Sequence, residues 1–467
     1  MATAAEPERA RPAPWREVLR GRRGRLTTGL LLLEAMVGIE VLIVTTILPA
    51  VERDLGGLQL YGWAFSAYGL ATLLTVPLGG RATDRFGPRP VLGIALGAFA
   101  LGLLIASVAP SMAVVVLGRF VQGCGGGALY VVSVAAIAKA YPESLRPRVF
   151  ALLTSMWILP GVIGPPIGAL IASTIGWRWA FVLPVPVVAV CLAMILPPLK
   201  EIPPEVEQRI DLPFRWPLQL TIGAAILLAG LTEPSVWTPL AVLAGLVIGV
   251  PALLHVVPPG TLRAAYGLPA TAAAAFLTST AFAAIDGFVP LMLTKVRGLS
   301  VGQAGLVVTG ATITWCLGTF WQARRFERMG ARRLVAIGGL LVAIAAVLVS
   351  GGLVEGFPIA LPYLGWAIGG LGMGIAFPTI PLSAMTVATR GREAGDLSST
   401  LLMDFLGISI GAGLGGACIA FADAGFTSLR EGIAGAFAIG FLAAIALTLV
   451  ARRLPVGTAS DASTDER

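Results

Sequence analysis

Apolar residues come along this chain in blocks of about 20, and a helix of that length, rising ~1.5 Å per residue, crosses the ~30 Å hydrocarbon layer of a bilayer. The blocks run roughly over 27–51, 59–79, 90–109, 112–140, 148–174 and 179–199, then 217–232 and 236–257, then 268–293, 300–322, 333–354, 358–388, 396–421 and 431–452. They predict an all-α integral membrane protein of fourteen transmembrane helices, with its longest polar stretches at 1–26, 199–216 and 454–467. Segment 217–232 is short for a crossing and needs a thinned bilayer or snorkelling flanks. A re-entrant hairpin over 217–257 is the alternative, and either choice leaves the two termini on the same side. Thr232-Glu233-Pro234-Ser235, between these two blocks, has the residues of a tight turn.

Hydrophobic residues make up 56% of the 467 and charged residues only 12%. That excludes a soluble domain, which would expose far too much apolar surface, and leaves no room for a soluble catalytic one. A net charge of +8 raises the question of nucleic acid, but the cations are sorted by side of the membrane instead. Of the 33 Lys and Arg residues, 27 fall on one side: seven from Arg9 to Arg25, and the rest in alternate connections and the tail, from Arg81 to Arg467. The other side receives Arg53, Arg178, Lys295, Arg297 and Arg430, and Arg119 falls inside a predicted helix. By the positive-inside rule both termini are cytoplasmic, in a multi-pass protein of the cell membrane. The expected layout is a cytoplasmic N-terminal segment (1–26), a six-helix bundle (27–199), a loop with two extra membrane helices (200–267), a second six-helix bundle (268–453) and a disordered cytoplasmic tail (454–467). The arginine-rich N-terminus precedes a span too long for a signal peptide, so it is expected to stay attached as the first helix. Cys124, Cys191, Cys316 and Cys418 lie in apolar blocks without metal or redox spacing and read as packing residues.

Between the second and third blocks lies Gly79-Gly80-Arg81-Ala82-Thr83-Asp84-Arg85-Phe86-Gly87-Pro88-Arg89-Pro90. An acid at a fixed offset, flanked by glycines that let two helix ends approach, is more than a generic basic loop requires. The stretch resembles the signature of the major facilitator superfamily, G-x-x-x-D-R-x-G-R-R/K. The resemblance implies the major facilitator fold, two six-helix bundles here with two extra linker helices. It also implies a conformational latch of Gly80, Asp84, Arg85, Gly87 and Arg89, whose acid pairs with nearby arginines and the N-terminal dipole of the penultimate helix, near Asp396. Asp396 is itself a good N-cap and competes for that helix end. The chain echoes itself weakly, as parallel halves of this superfamily do. Asp84-Arg85-Phe86-Gly87-Pro88-Arg89 recurs as Glu327-Arg328-Met329-Gly330-Ala331-Arg332, and Gly123, Gly125 and Gly127 recur as Gly370, Gly372 and Gly374.

The fifth block contains Gly161, Gly164, Pro165 and Gly168. The small residues let another helix pack closely, and the proline removes a backbone donor and kinks the helix. The run resembles the antiporter motif of drug-exporting members, G-x-x-x-G-P-x-x-G-G, with Pro166 extra and Ala169 in place of the last glycine. The first block, Glu40 to Pro49, is similar to the first-helix signature of the fourteen-helix drug:proton antiporters, D-x-T-x-V-N-V-A-L-P. Glu40 takes the acid's place, while Leu42 and Thr45 depart from the pattern. A carboxylate near mid-helix costs several kcal/mol if left charged and unpaired in lipid, so it must face protein or water and can then exchange a proton. Glu34, six residues earlier, lies nearer the cytoplasmic end. Leu117 to Gly123 carries Arg119 and Gln122 in an arrangement that resembles the superfamily's R-x-x-Q-G motif, whose arginine is implicated in proton transfer. An arginine stays charged, so its nearness would set the protonation of a carboxylate, with Glu40 the candidate partner.

In the second half Asp286 and Asp404 are the acids within apolar blocks, giving with Glu34 and Glu40 an acidic interior suited to a cation or to proton-for-cation exchange. Tyr68, Gln122, Tyr130, Trp157, Trp315 and Trp366 are candidates to line a substrate cavity, and His255 is an interfacial anchor. The function expected is a secondary active transporter, a proton-coupled antiporter exporting lipophilic or cationic small molecules by alternating access. Its partners would be a small-molecule substrate, protons and bilayer lipid, without nucleic acid, and it would act as a monomer. No Walker loop, metal cluster or nucleophile constellation occurs, so neither an enzyme, a metal nor a cofactor is expected. The alternatives are a lipid or amphiphile transporter on the same fold, and a non-transporting membrane receptor or sensor.

Overall fold

The computed structural model describes residues 18–142, 145–156, 158–201, 214–387 and 393–455. The described residues are helical throughout, joined by short turns. In chain order the helices are α1 (Gly21–Leu55), α2 (Trp63–Phe86), α3 (Pro88–Ser107), α4 (Met112–Ala140), α5 (Arg146–Ser155), α6 (Ile158–Thr174), α7 (Trp179–Val182) and α8 (Pro184–Ile195). Then come α9 (Arg215–Thr232), α10 (Thr238–Val256), α11 (Leu268–Asp286), α12 (Val289–Lys295), α13 (Val301–Ser350), α14 (Ala360–Val387), α15 (Glu393–Asp423) and α16 (Leu429–Val450). Among the described residues nine helices are long and apolar enough to cross a membrane, with shorter apolar helices at Leu159–Thr174 and Trp179–Ile195.

The helix boundaries differ from the apolar blocks in an informative way. The polar gap expected between 322 and 333 is helical: α13 runs for 50 residues through Arg324, Arg325 and Arg328, and its one non-helical residue is Gly330 (φ 69°, ψ 166°). Charge ends an apolar block without ending a helix, because arginine is a good helix former wherever its head reaches water. In the same way α2 continues past residue 79 to Phe86, and Gly87 alone separates it from α3. Conversely, three blocks expected as single helices are broken, between α5 and α6, at Leu183 before Pro184, and at Gly287-Phe288 before Pro290. Each of those prolines opens the second piece, where its missing N–H costs nothing.

In the first group of helices α4 packs on α2 and α3, and α1 on α6 and α8; in the second, α14 packs on α13, and α11 on α15 and α16. The repeat suspected in the sequence is present in three dimensions. A side chain at Gly123 or Gly127 would strike the α2 backbone at Tyr68 or Thr72, whereas one at Gly125 would strike α3 at Ala95 and Phe99. In α14, Gly370 and Gly374 abut the first part of α13 at Ala311 and Trp315, and Gly372 abuts its second part at Gly338. Small residues at alternate positions thus let one helix approach two neighbours at once. Gly87 (φ 81°, ψ 163°) and Gly330 (φ 69°, ψ 166°) also share one backbone conformation, which only glycine adopts readily.

One end of the bundle is basic. There Arg22 Nε donates to Pro198 O at 3.0 Å, Arg332 Nε to Leu454 O at 2.6 Å, and Gly267 N to Arg453 O at 3.2 Å. At the far end Arg178 pairs with Asp54 at 2.8 Å and Arg297 donates to Val354 O at 2.9 Å. Arg430 also pairs there with Glu355, whose carboxyl it holds below the usual carboxylate range. The extra pair α9 and α10 meet face to face at Gly223, Gly245 and Gly249, and α9 leans on α2 and α15.

Candidate functional site

Glu40 lies near the middle of α1 and is 1% exposed; Arg119, on α4, is 3% exposed. The two meet directly, Arg119 Nη1 donating to Glu40 Oε1 at 2.5 Å. The same nitrogen donates to Gln122 Oε1 at 2.6 Å, one turn further along α4, and Arg119 Nε donates to Ala64 O on α2 at 3.1 Å. The Tyr68 ring lies 4.6 Å from the guanidinium carbon, a cation–π contact that braces the arginine from α2. Three helices therefore fix one charge. Glu40 Oε2 and Gln122 Nε2 are buried without a hydrogen-bond partner. A lone pair aimed at no donor is where a carboxylate can accept a proton while its other oxygen keeps the arginine.

The polar interior continues across the molecule. Tyr130 on α4 is 43% exposed, and its phenol lies within the electrostatic reach of Glu34 in the first group and Asp404 in the second. Asp404 accepts a hydrogen bond from Ser279 of α11. Asp286, at the end of α11, accepts from Trp366 Nε1 at 2.9 Å. Trp366 is fully buried and stacks on Phe282, which also meets Trp315 edge-on. Trp366 is thus part of the packed interior as well as a partner for the acid. Trp157 lies outside the described residues. His255 stacks on Trp216, ring centroids 3.8 Å apart, at the basic end of α10.

The glycines of α6 seat that helix between the two groups. Gly164 and Gly168 lie against Ile39, Leu42 and Ile43 of α1, while a side chain at Gly161 would collide with Thr312 of α13. Gly305 of α13 approaches Thr46 and Pro165 O. At the basic end, Gly80 and Asp84 lie on α2, and Arg85 and Arg89 are exposed on either side of Gly87. The side chain of Asp396, expected opposite Asp84, lies outside the described ones.

The sequence did not single out the closure at the far end. Lys295 Nζ pairs with Glu52 at 2.6 Å, tying α12 to α1, and the buried Tyr61 donates to Gly287 O at 3.1 Å. Ser66 Oγ donates to Ser409 O at 2.9 Å, and Gly62 packs directly on Gly416, so α2 and α15 touch backbone to backbone. Trp63 Nε1 donates to Thr232 Oγ1 at 2.7 Å, attaching the extra pair. Glu52 at the end of an apolar block was the one available signal, and it reads as an ordinary helix-end acid until its partner is known.

Long apolar helices packed around a buried charged pair define a multi-pass membrane protein. The chain belongs to the Major Facilitator Superfamily, whose family model matches residues 30–274. It is 28% identical, over 94% of its length and 98% of the relative's, to a probable multidrug-efflux transporter of Mycobacterium tuberculosis (strain ATCC 25618 / H37Rv). It is 27% identical to multidrug resistance protein 3 of Bacillus subtilis (strain 168), covering 82% of this chain and 77% of that one. Its fold is similar to the crystal structure of a D-xylose-proton symporter, with a TM-score of 0.68 at 14% identity, covering 93% of this chain and 99% of that one.

Proposed function

We propose that this transporter is a proton-coupled antiporter that exports lipophilic or cationic small molecules by alternating access. The observation that carries the proposal is the buried Glu40–Arg119 pair with one carboxylate oxygen unengaged. The relatives named as multidrug transporters support the substrate class. In this reading Glu40 Oε2 takes up a proton in one state and gives it up when the cavity changes sides. Arg119 stays charged and keeps the carboxylate in place, with Tyr68 and Gln122 positioning the arginine. Glu34, Asp286 and Asp404 supply further negative charge for a cationic substrate, and Tyr130 and Trp315 line its path. Gly161, Gly164, Pro165 and Gly168 form the seam on which α1 and α13 rock, and Gly80, Asp84, Arg85, Gly87 and Arg89 form the latch at the basic end.

The fourteen-span reading rests on Gly330, which divides α13 as Gly87 divides α2 from α3, and on the pair α9 and α10. The same alternation supports the division into bundles at 27–199 and 268–453 joined through 200–267. The cations gathered at one end support cytoplasmic termini by the positive-inside rule. Closure at the far end through Glu52, Lys295 and Tyr61 then supports a cytoplasm-facing state. Both halves of the cavity come from one chain, so a monomer suffices. The test is flux in proteoliposomes under an imposed pH gradient, with a fluorescent lipophilic cation and, in parallel, a labelled phospholipid. Gradient-driven cation movement that is lost in Glu40→Gln is the expected result. Phospholipid movement independent of the gradient, with an inert cation, would overturn it.

A further inference from the structure

The extra helices do not lie flush on the second bundle. A cavity of about 480 Å³ separates α9 and α10 from α11 and α15, and its lining is aliphatic and aromatic apart from Thr261. Thr261 spends its hydroxyl on Pro258 O at 2.6 Å. The crevice is open to the surroundings through α10, where Leu246 (44%) and Val250 (37%) line it and are exposed. Along α15 it extends from Met403 to Leu414, roughly 16 Å at the helical rise and therefore about one leaflet of hydrocarbon. An apolar slot of that length suits an acyl chain better than water.

The basic-end mouth of this slot is built. It is closed by the turn Thr261–Arg263 and Ala264, which holds a left-handed conformation (φ 45°) that an alanine rarely adopts. Arg453 stabilises the turn, its Nη1 donating to Arg263 O at 2.6 Å, and Gly267 N returns a bond to Arg453 O. Thr261, Leu262 and Ala264 line the slot; Arg263, between two of them in the chain, and Arg452, two residues after the lining Val450, are exposed, as is Arg453. Cationic side chains next to an acyl-length apolar slot match one kind of ligand, an anionic phospholipid.

We propose that this crevice is a binding site for a single anionic phospholipid, with an acyl chain between α10 and α15 and the phosphate at Arg263 and Arg452. The bound lipid fills the gap between the extra pair and the second bundle and couples them to leaflet composition. The site is separate from the Glu40–Arg119 interior and does not depend on what is transported.

The test is native mass spectrometry of the full chain released from a mild detergent after exchange into defined phosphatidylglycerol or phosphatidylcholine. The wild type should retain one phosphatidylglycerol about tenfold more than phosphatidylcholine, the preference expected of one or two interfacial arginines. Filling the slot from either wall, by Ala273→Phe or Leu253→Trp, should abolish retention of both lipids. Arg263→Gln should keep a lipid and lose the preference. Retention at the wild-type level in both filled variants, or no preference in the wild type, would overturn the site. If the filled variants do not fold, phosphatidylglycerol with a photoactivatable group in its acyl chain decides on the wild type alone. Cross-links to α10, α11 or α15 within the slot support the site, and cross-links scattered over the bundle overturn it.

Discussion

Glu40 and Arg119 are not equally replaceable. Remove the carboxylate and the guanidinium still has Gln122, Ala64 O and the face of Tyr68. It has nevertheless lost the carboxylate it pairs with, and breaking a buried pair from one side costs roughly 3–5 kcal/mol. Glu40→Ala and Glu40→Gln should therefore both lower the thermal midpoint, Glu40→Ala the more because it also removes the acceptor oxygen and leaves a gap. Thermal unfolding of the two variants in one detergent checks this, and an unchanged midpoint in both would mean the pair is not what stabilises the site. Trp366→Phe should cost about 1–3 kcal/mol for a different reason, because Asp286 is left buried without its donor. Glu40 and Arg119 were legible in the sequence because a charge inside an apolar block is costly and rare. Tyr61, Ser279 and Lys295 were not: each is an ordinary residue for its block, and its role exists only once a distant carbonyl or carboxylate arrives.

At the scale of the element, glycines decide where helices can touch. Gly370 lies against Ala311 O, so Gly370→Val would drive a branched side chain into a backbone. Overpacking of that kind costs typically about 1–3 kcal/mol and more where backbone cannot yield. Gly310, on the facing helix, has nothing within 4 Å of the position a Cβ would take, so Gly310→Val should be tolerated. Monodispersity and melting in detergent separate the two, and similar behaviour would mean the close approach is not required. Gly87→Ala and Gly330→Ala should be penalised alike, by about 1–3 kcal/mol, because both positions hold one strained conformation. The repeated glycines were readable as spacing, but which neighbour each serves was not, since alternate positions face different helices. Helix lengths misled for a related reason. Hydropathy records where lipid ends, while helix boundaries follow backbone breakers, so α13 passes through a charged stretch and is interrupted only at Gly330.

For the molecule as a whole, the contacts at the far end hold one arrangement of the halves. The Lys295–Glu52 pair is partly exposed on the lysine side, 33% against 9% for the acid, so its removal should shift the balance by about 1 kcal/mol, or about fivefold in population. Spin-label distances across the far end should lengthen in Lys295→Ala, and an unchanged distribution would remove this pair from the gate. The overall architecture was legible because bilayer thickness and charge sorting constrain every span in the same way. The relation between the halves was not, because it rests on single contacts such as Ser66 with Ser409. If Glu40 exchanges the coupled proton, a lipophilic cation binding to the purified protein in weakly buffered solution should release protons. Release is expected from the wild type and should be lost in Glu40→Gln with cation binding retained; equal release from both proteins would rule Glu40 out as the coupling group.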